Sequence, residues 1–435
     1  MISRPRDAIL FRTPTGTITT EAFLVAANAL AAELPEATHL VNLCQDRARF
    51  AVALAAAVLR RQVTLLTSDR TETRLRQLAA THPDTASISD DPAVASPLPH
   101  HLFRTLATEG RADTPDIPDD QLAAIVFTSG STGEPVGNRK TWRALVERSR
   151  AAAERFGYGE AAPAQIVGTV PPQHMYGFET TVLLPLHAPV ASWCGPAFYP
   201  DDIRRALAAV PAPRVLVTTP LQLRHLLSAD PDLPAMAQII SATAPLAPDI
   251  AAAAEARWGA PVLEIFGATE VGSIASRRTT ETDAWTLYPG VAVAPTGAEV
   301  VVTAPYADPC PLSDDIDLLP GGGFRLLGRR ADLIKLAGKR ASLAGLNLIL
   351  NAIDGVADGM FVAPDDLDHR PSARLLAFVV APDLRAEDIL AALRRRIDPI
   401  FLPRRVILVD DLPRNDVGKV TRQALATLHA RAGGT

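Results

Sequence analysis

The chain has 435 residues, 48% of them hydrophobic and 21% charged, with a formal net charge of −5. Its length suffices for two or three domains with substantial cores. The acidic balance argues against a nucleic-acid-binding surface, and three scattered cysteines argue against a disulfide framework or a structural zinc site. The N-terminus lacks the apolar core of a signal peptide, and the longest apolar stretch, residues 50–59, is too short to span a bilayer. We therefore expect a cytoplasmic protein without a membrane span.

Short apolar runs rich in β-branched residues alternate with stretches rich in alanine and leucine. This alternation predicts the α/β class, in which helices cover parallel sheets. The predicted strands are residues 39–44, 63–67, 125–128, 166–170, 215–218, 239–241 and 262–266. The predicted helices are residues 21–34, 46–60, 142–156, 201–210 and 248–258. Residues 83–119, rich in proline, aspartate, serine and threonine, are predicted to form a long surface connection.

The pattern changes after residue 296, where Glu-Val-Val-Val-Thr predicts a strand of an antiparallel or barrel-like part. A glycine cluster at residues 321–323 follows. We expect a domain boundary just beyond it, which gives a large N-terminal domain, residues 1–328, and a small α+β C-terminal domain, residues 329–435.

Residues 128–137 read Thr-Ser-Gly-Ser-Thr-Gly-Glu-Pro-Val-Gly and follow an apolar strand. Glycine lacks the Cβ that blocks close approach, so backbone N–H groups and hydroxyls in such a loop can reach phosphate oxygens. An ordinary surface turn is the alternative. The loop is not a Walker-type P-loop, because no Gly-Lys precedes a serine or threonine. The candidate phosphate-binding residues are Thr128, Ser129, Gly130, Ser131, Thr132 and Gly133.

The loop resembles the phosphate loop of the acyl-adenylate-forming superfamily, which includes acyl- and aryl-CoA ligases, luciferases and peptide-synthetase adenylation domains. Further signatures of that family follow in its order, over about residues 120–425. The resemblance implies that ATP and Mg²⁺ activate a carboxylic acid as acyl-AMP, which a thiol then attacks. The family usually has Pro-Lys-Gly where this chain has Pro-Val136-Gly. Either Arg139 or Lys140 supplies the missing charge, or the affinity for nucleotide is lower.

Residues 266–270, Phe-Gly-Ala-Thr-Glu, resemble the aromatic-Gly-x-Thr-Glu element of the family. The resemblance places Phe266 by the adenine, the Thr269 hydroxyl at the α-phosphate, and Glu270 with Thr132 on Mg²⁺. A hard cation prefers such oxygen ligands. The alternative is a strand-to-helix turn in which Thr269 or Glu270 only caps a helix. Two further residues of the element, Gly267 and Ala268, are assigned to the ATP site, and Gly267 also to the acyl site.

Two weaker motifs resemble the walls of the adenine and acyl pockets. Small residues after the strand at 239–241 allow backbone to approach a flat ligand, or serve tight packing instead. They are Ser241, Thr243, Ala244 and Pro245, with Ser241 assigned to the acyl side. The stretch that follows residues 166–170 holds His174, Tyr176 and Gly177, which the resemblance places at the acyl-binding face. A neutral imidazole can hydrogen-bond a substrate hydroxyl. Capping of a helix or burial in the core are the alternatives for His174.

The C-terminal signatures place four further functions. The resemblance assigns the ribose hydroxyls to Asp314, with Asp315 as the fallback, and adds Arg329 to the ATP site. The hinge aspartate of the family is replaced by Ala331, with Asp332 as a substitute. Lys419, in Gly-Lys-Val-Thr, matches the catalytic lysine, whose ammonium stabilises charge developing on the phosphoryl oxygens and the leaving pyrophosphate.

As a whole the chain resembles stand-alone ligases of aryl-polyene and xanthomonadin-type pigment pathways. That resemblance implies a hydroxybenzoate substrate and a holo-acyl carrier protein as the thiol partner. Arginines at 394–396, 404 and 405 predict a basic face for this acidic partner, or instead a solvated helix face together with an internal ion pair. The alternatives are an aryl- or acyl-CoA ligase and a catalytically silent binding protein. Lys419, Glu270 and Thr269 argue against a silent protein, while Val136 and Ala331 favour it.

Overall fold

The computed structural model describes residues 1–128, 136–297, 299–329, 333–336, 339–363, 374–414 and 420. The chain divides into two compact units, Met1–Pro311 and Leu312–Thr435. We call them the first and the second unit. No described helix is long and apolar enough to cross a membrane.

The first part of the first unit is a six-stranded sheet with helices. The elements, in chain order, are β1 (Ile9–Thr13), β2 (Gly16–Thr19), α1 (Thr20–Glu33), β3 (His39–Asn42), α2 (Arg47–Leu59), β4 (Val63–Leu66), α3 (Glu72–Thr81), β5 (Thr85–Ser89), β6 (His100–Leu102), β7 (Leu122–Thr128), β8 (Val136–Thr141) and α4 (Trp142–Phe156). The six-stranded sheet has the strand order β6-β5-β3-β4-β7-β8, and every neighbouring pair is parallel except β7–β8. Strands β1 and β2 belong to a second, larger sheet.

The helices begin where short polar side chains cap them. The side chains of Thr19, Asp46 and Thr141 accept hydrogen bonds from the first-turn N–H groups of α1, α2 and α4. Helix α2 is buried over almost its whole length, because small alanines let it lie within the main core. Helix α4 begins and ends at the predicted residues, so that prediction is confirmed.

The prediction of a surface connection over residues 83–119 is wrong in its first part. All five residues of β5 are buried, and β6 pairs with it in parallel. The polar residues of this strand find partners in main-chain carbonyls and in side chains. The Ser87 hydroxyl lies 2.7 Å from that of Ser96 and 2.9 Å from Nδ1 of His100. Partners of this kind make burial of a serine-rich strand tolerable, and hydrophobic periodicity cannot reveal them.

The second part of the first unit completes a larger sheet. Its strands run β15-β14-β13-β12-β11-β9-β10-β1-β2, and the six from β13 to β1 are mutually parallel. The elements are β9 (Ala164–Gly168), α5 (Met175–Gly177), a π-helical turn (Phe178–Leu183), α6 (Leu184–His187), β10 (Val190–Trp193), α7 (Pro200–Ala209), β11 (Arg214–Thr218), α8 (Pro220–Ala229), β12 (Gln238–Ser241), α9 (Pro248–Trp258), β13 (Val262–Ala268), β14 (Gly272–Arg278) and β15 (Ala284–Leu287). The alternation of strands and helices confirms the predicted α/β class.

An antiparallel three-stranded sheet closes the first unit, as the sequence predicts. It comprises β16 (Ala292–Thr296), β17 (Glu299–Ala304) and β18 (Ala307–Pro311), in that spatial order. Four of the five residues of the edge strand β16 are exposed, whereas four of the six residues of the central strand β17 are at least partly buried.

The second unit is α+β, as predicted. Two hairpins precede a three-stranded sheet, β23-β24-β25, which shares an apolar core with two helices. The elements are β19 (Asp314–Leu318), β20 (Phe324–Arg329), β21 (Leu333–Leu336), β22 (Lys339–Ser342), α10 (Leu343–Asn351), β23 (Asp358–Val362), β24 (Leu376–Val380), α11 (Ala386–Arg394), a 3₁₀ turn (Pro399–Phe401) and β25 (Arg405–Leu408). The pivot at residues 328–332 stays a prediction.

Candidate active site

Three of the sequence motifs emerge at one edge of the large sheet. Residues 171–177 follow β9, residues 241–245 end β12 and continue from it, and residues 266–270 end β13. These strands are parallel and lie close together in the order β9-β11-β12-β13. Their carboxyl ends share an edge, which is where open α/β sheets bind ligands. The fold therefore brings the predicted adenine, phosphate and acyl residues of these motifs to the same edge.

The turn at residues 268–272, which we call the motif turn, carries Thr269 and Glu270. It joins β13 to the antiparallel strand β14, and the Val271 N–H donates to the Ala268 carbonyl at 3.1 Å. A strand follows the turn, so the helix-cap alternative is wrong. The Glu270 side chain is exposed and that of Thr269 is half-buried. Both positions can therefore be reached by a ligand.

A buried lysine holds the main chain of the motif turn. Lys140 lies on β8, just beyond the glycine-rich loop, and is only 2% exposed. Its Nζ donates to the Glu270 carbonyl oxygen at 2.5 Å. Burial, reinforced by the positive charge of Arg148, lowers the pKa of Lys140 to about 7. The six-stranded sheet and the motif turn are thus joined by the side chain of Lys140.

A buried ion pair anchors the other side of the turn. Arg148 on α4 and Glu179 in the π-helical turn form a 2.6 Å salt bridge. Glu179 accepts hydrogen bonds from the Ser273 N–H at 3.3 Å and from its hydroxyl at 2.6 Å. Arg148 donates to the Val271 carbonyl, and the Tyr306 hydroxyl donates to the Ser273 carbonyl at 2.8 Å. Four side chains from four separate segments therefore fix the motif turn and the residue that follows it, Ser273.

These anchors are absent from the sequence interpretation, except for Lys140, which it offers only as a source of phosphate-binding charge. A signal for the ion pair exists nonetheless. Arg148 falls three residues after Leu145 on the apolar face of α4, and Glu179 interrupts a long apolar run. Charges in such positions are costly unless paired, and therefore predict buried partners.

The small-residue stretch after β12 contains a strained backbone. Thr243 has φ of +84°, which is a rare conformation for a β-branched residue. Ala244 and Pro245 are exposed, whereas Ser241 is fully buried. Buried Glu264 fixes the end of the stretch, since it accepts a hydrogen bond from the Leu246 N–H at 2.8 Å. A ligand can therefore reach this stretch at Ala244 and Pro245.

Glu264 also ties this stretch to the motif-bearing strands. Its carboxylate accepts from Arg277 Nε at 2.9 Å and from the Thr279 hydroxyl at 3.1 Å. Burial raises the pKa of Glu264 even though Arg277 opposes the shift. Arg277 in turn lies 4.5 Å from the ring centre of Trp285, and that ring lies 5.6 Å from Phe266. The aromatic residue predicted to lie by the adenine is therefore part of a packed aromatic cluster.

His174 caps a helix, as one of its alternatives predicts. Its Nδ1 accepts a hydrogen bond from the Tyr176 N–H at 3.2 Å, which corresponds to a neutral ring with the proton on Nε2. Tyr176 is buried, and its hydroxyl donates to the Ile240 carbonyl at 2.9 Å. Gly177 is buried beside it. This contact ties the His174 motif to the end of β12, immediately before Ser241.

Other predicted site residues are placed only in part. Ser129, Gly130, Ser131, Thr132 and Gly133 lie outside the described residues, as do Ala331, Asp332 and Lys419. Thr128 ends β7. In the second unit, Asp314 begins β19 and is the register partner of Arg329 on β20. The two residues assigned there to ATP are therefore paired in the backbone register of one hairpin.

The chain matches known proteins over both units. Residues 15–314 match the sequence model of AMP-binding enzymes, and residues 349–419 match that of the AMP-binding enzyme C-terminal domain. The chain belongs to the AMP-binding enzyme family. It is 28% identical over 368 residues to a probable 2-succinylbenzoate–CoA ligase of Mycobacterium tuberculosis, covering 78% of this chain and 91% of that protein.

Solved structures with bound ATP or a bound acyl-adenylate share the fold. ATP-bound MatB from Rhodopseudomonas palustris matches with a TM-score of 0.80 at 22% identity, covering 99% of this chain and 97% of that one. The o-succinylbenzoate CoA synthetase of Bacillus subtilis, in complex with its acyl-adenylate intermediate, matches with a TM-score of 0.81 at 18% identity, covering 96% and 95%. Family membership makes this AMP-binding protein an adenylate-forming acid–thiol ligase that activates a carboxylic acid with ATP.

Proposed function

We propose that this ligase activates an aryl acid, specifically a hydroxybenzoate, and transfers the acyl group to the phosphopantetheine thiol of an acyl carrier protein. The observation that carries the adenylation step is the motif turn. Its main chain is held by Lys140 and Arg148, the adjoining Ser273 is held by Glu179 and Tyr306, and Glu270 remains exposed. A rigid turn with an exposed carboxylate at the strand ends is suited to a reaction that depends on fixed charges.

The residues of the motif turn are chemically suited to bind Mg²⁺. Glu270 offers carboxylate oxygens, the ligands that hard cations prefer, and forms no salt bridge with any other described residue. Mg²⁺ bound there would neutralise phosphate charge during attack by the carboxylate. The hydroxyl of Thr269 would orient the α-phosphate, and the ammonium of Lys419 would stabilise the charge that develops on it.

The acyl side offers polar groups for a ring hydroxyl. Ser241 is fully buried, and within the described chain its hydroxyl has no hydrogen-bond partner. The Tyr176–Ile240 hydrogen bond brings this serine close to the segment that carries His174. A buried polar group without a partner is costly, and a substrate hydroxyl would satisfy it. These groups support a hydroxylated aromatic acid rather than a plain fatty acid.

The surface charge of the second unit supports a carrier protein as the thiol acceptor. Arginines 394, 395, 396, 404 and 405 are all exposed, at the end of α11 and the start of β25. In the described part of the second unit none of them forms a salt bridge with a side chain. An acidic carrier protein would be steered by such a surface. The alternative acceptor is CoA, which the names of the curated relatives favour.

Two assays test the proposal. Pyrophosphate release across benzoates, cinnamates and fatty acids should be fastest with a hydroxybenzoate, and a preference for fatty acids would contradict the aryl assignment.

Loading of holo-carrier protein should fall with added salt and after the charge reversals Arg394→Glu and Arg395→Glu, with adenylation unchanged. The matched control is Arg76→Glu, an exposed arginine on α3. Efficient turnover with CoA, at a rate that neither Arg394→Glu nor Arg395→Glu changes, would identify a CoA ligase.

A further inference from the structure

Lys140 is an unusual residue to find buried. It is 2% exposed, and its Nζ lies 2.5 Å from a main-chain carbonyl rather than from a carboxylate. Lysine is almost never fully buried without a partner of this kind, because its charge loses hydration. The carbonyl belongs to Glu270, the residue proposed to bind Mg²⁺. An apolar side chain would fill the same space at a lower desolvation cost. The presence of a hydrogen-bond donor at this buried position therefore calls for an explanation.

The other residues of β8 point to that reason. Val136, at the position where the family has a lysine, is 56% exposed, and Arg139 is exposed as well. Lys140 is therefore the buried cation of the strand that leads away from the glycine-rich loop. Its contact spans 130 residues of sequence and joins the strand of one nucleotide motif to the turn of another.

The remaining anchors do not duplicate this contact. Arg148 holds the Val271 carbonyl, while Glu179 and Tyr306 hold Ser273. Among the described residues, Lys140 is the hydrogen-bond donor to the main chain of Glu270 itself. Removing Lys140 would leave the far side of the turn in place and release the peptide that orients the Glu270 carboxylate.

We propose that Lys140 is a positioning residue, which fixes the Glu270 main chain so that the Glu270 carboxylate meets Mg²⁺ in the adenylation step. The inference rests on the proposed function. Groups that orient a metal ligand typically contribute about 10- to 100-fold in metal affinity or activity. The effect should therefore appear in the Mg²⁺ dependence and in kcat, and leave the KM for the acid unaltered.

The test compares Lys140→Met, Lys140→Arg and Arg143→Met in acid-dependent exchange of pyrophosphate into ATP. Lys140→Met keeps the volume and removes the donor, so we expect a drop in kcat and a rise in the half-saturating Mg²⁺ concentration, each of about tenfold or more. Lys140→Arg keeps a donor and should recover most of the rate. Arg143, exposed at the start of α4, is the matched control and should show no change.

Binding of ATP, titrated by calorimetry with and without Mg²⁺, separates this inference from the proposed function. A wild-type protein without exchange activity refutes the function, whereas the inference still predicts that Lys140→Met weakens only the Mg²⁺-dependent part of ATP binding. If Lys140→Met does not fold, Lys140→Gln, which is shorter and also lacks the ammonium donor, replaces it in the same titration, and weaker Mg²⁺-dependent ATP binding supports the inference. Wild-type Mg²⁺ dependence in a folded Lys140→Met or Lys140→Gln protein would overturn it, as would a rise in the KM for ATP caused by Arg139→Met instead.

Discussion

The guanidinium of Arg148 and the carboxylate of Glu179 lie 2.6 Å apart, with side chains only 1% and 8% exposed. Each partner also holds one end of the segment Val271–Ser273, through the Val271 carbonyl and the Ser273 N–H and hydroxyl. The pair is therefore both an internal ion pair and the support of the motif turn.

Breaking this pair should destabilise the protein strongly. Arg148→Met leaves a buried carboxylate without its cation, and loss of one partner of a buried pair costs about 3–5 kcal/mol in the free energy of unfolding. The double variant Arg148→Met/Glu179→Gln should lose less than the sum of the single losses. Urea unfolding measures all three. Arg205→Met, which removes an exposed ion pair on α7, is the control and should change little. Additive losses would show that the two charges are not coupled.

Gly272 should tolerate no side chain. It has φ of +105°, and an added Cβ would overlap the Arg148 guanidinium. We expect Gly272→Ala to lower the free energy of unfolding by about 3 kcal/mol or more, from left-handed strain together with the clash. Gly259→Ala is the matched control. It has φ of +68° with open space around the Cβ position, so it should show the strain alone, about 1–2 kcal/mol. Equal losses in thermal unfolding would remove the clash from the explanation.

Buried His187 should make the protein sensitive to acid. Burial, with smaller contributions from the N-terminal amino group and Arg150, lowers the pKa of His187 from 6.5 to about 3. Between those values the unfolded chain binds the proton more tightly, so the free energy of unfolding falls as the pH drops below 6.5. The contribution is about 1.4 kcal/mol per pH unit.

His187→Phe keeps a ring beside Trp142, which lies 5.5 Å away, and should flatten this dependence between pH 6.5 and 4. His225→Gln, at an exposed position on α8, should leave it unchanged. Chemical denaturation at a series of pH values checks both variants. A His187→Phe protein with the wild-type slope would contradict the assignment.

Glu270→Gln should weaken Mg²⁺-dependent turnover more than substrate binding. The amide keeps the shape of the side chain and loses the charge that attracts the cation. The KM for the acid should stay close to the wild-type value, while a higher Mg²⁺ concentration should restore part of the rate. A variant whose rate neither falls nor responds to Mg²⁺ would remove Glu270 from the metal site.

Much of the fold was predictable because its signals are local. Helices α4 and α9 combine a cap or an N-terminal proline with a C-terminal glycine, and both begin and end at the predicted residues. Strand β5 was missed because its serines find partners that only folding supplies.

The site follows the same division between local and long-range information. The order of its motifs could be read from the sequence, but the sequence did not predict that the turn carrying Thr269 and Glu270 leads into an antiparallel strand. The anchors could not be predicted, since contacts such as Lys140 to Glu270 join residues that the chain alone does not relate. The sequence left helix capping and burial in the core as alternatives for His174. The hydrogen bond from the Tyr176 N–H, which decides for capping, is visible only in the structure.

The exchange of labelled pyrophosphate into ATP tests the central claim, that this chain adenylates a carboxylic acid, most directly. Wild-type protein should catalyse exchange only with Mg²⁺ and a carboxylic acid, fastest with a hydroxybenzoate. Lys419→Ala should lose several orders of magnitude of that rate, with its thermal midpoint unchanged, because the ammonium acts on charge that develops in the transition state. Transfer of the acyl group from pre-formed acyl-AMP should survive in the variant. Absence of acid-dependent exchange in a wild-type protein that binds ATP, or an unchanged rate in Lys419→Ala, would contradict the account.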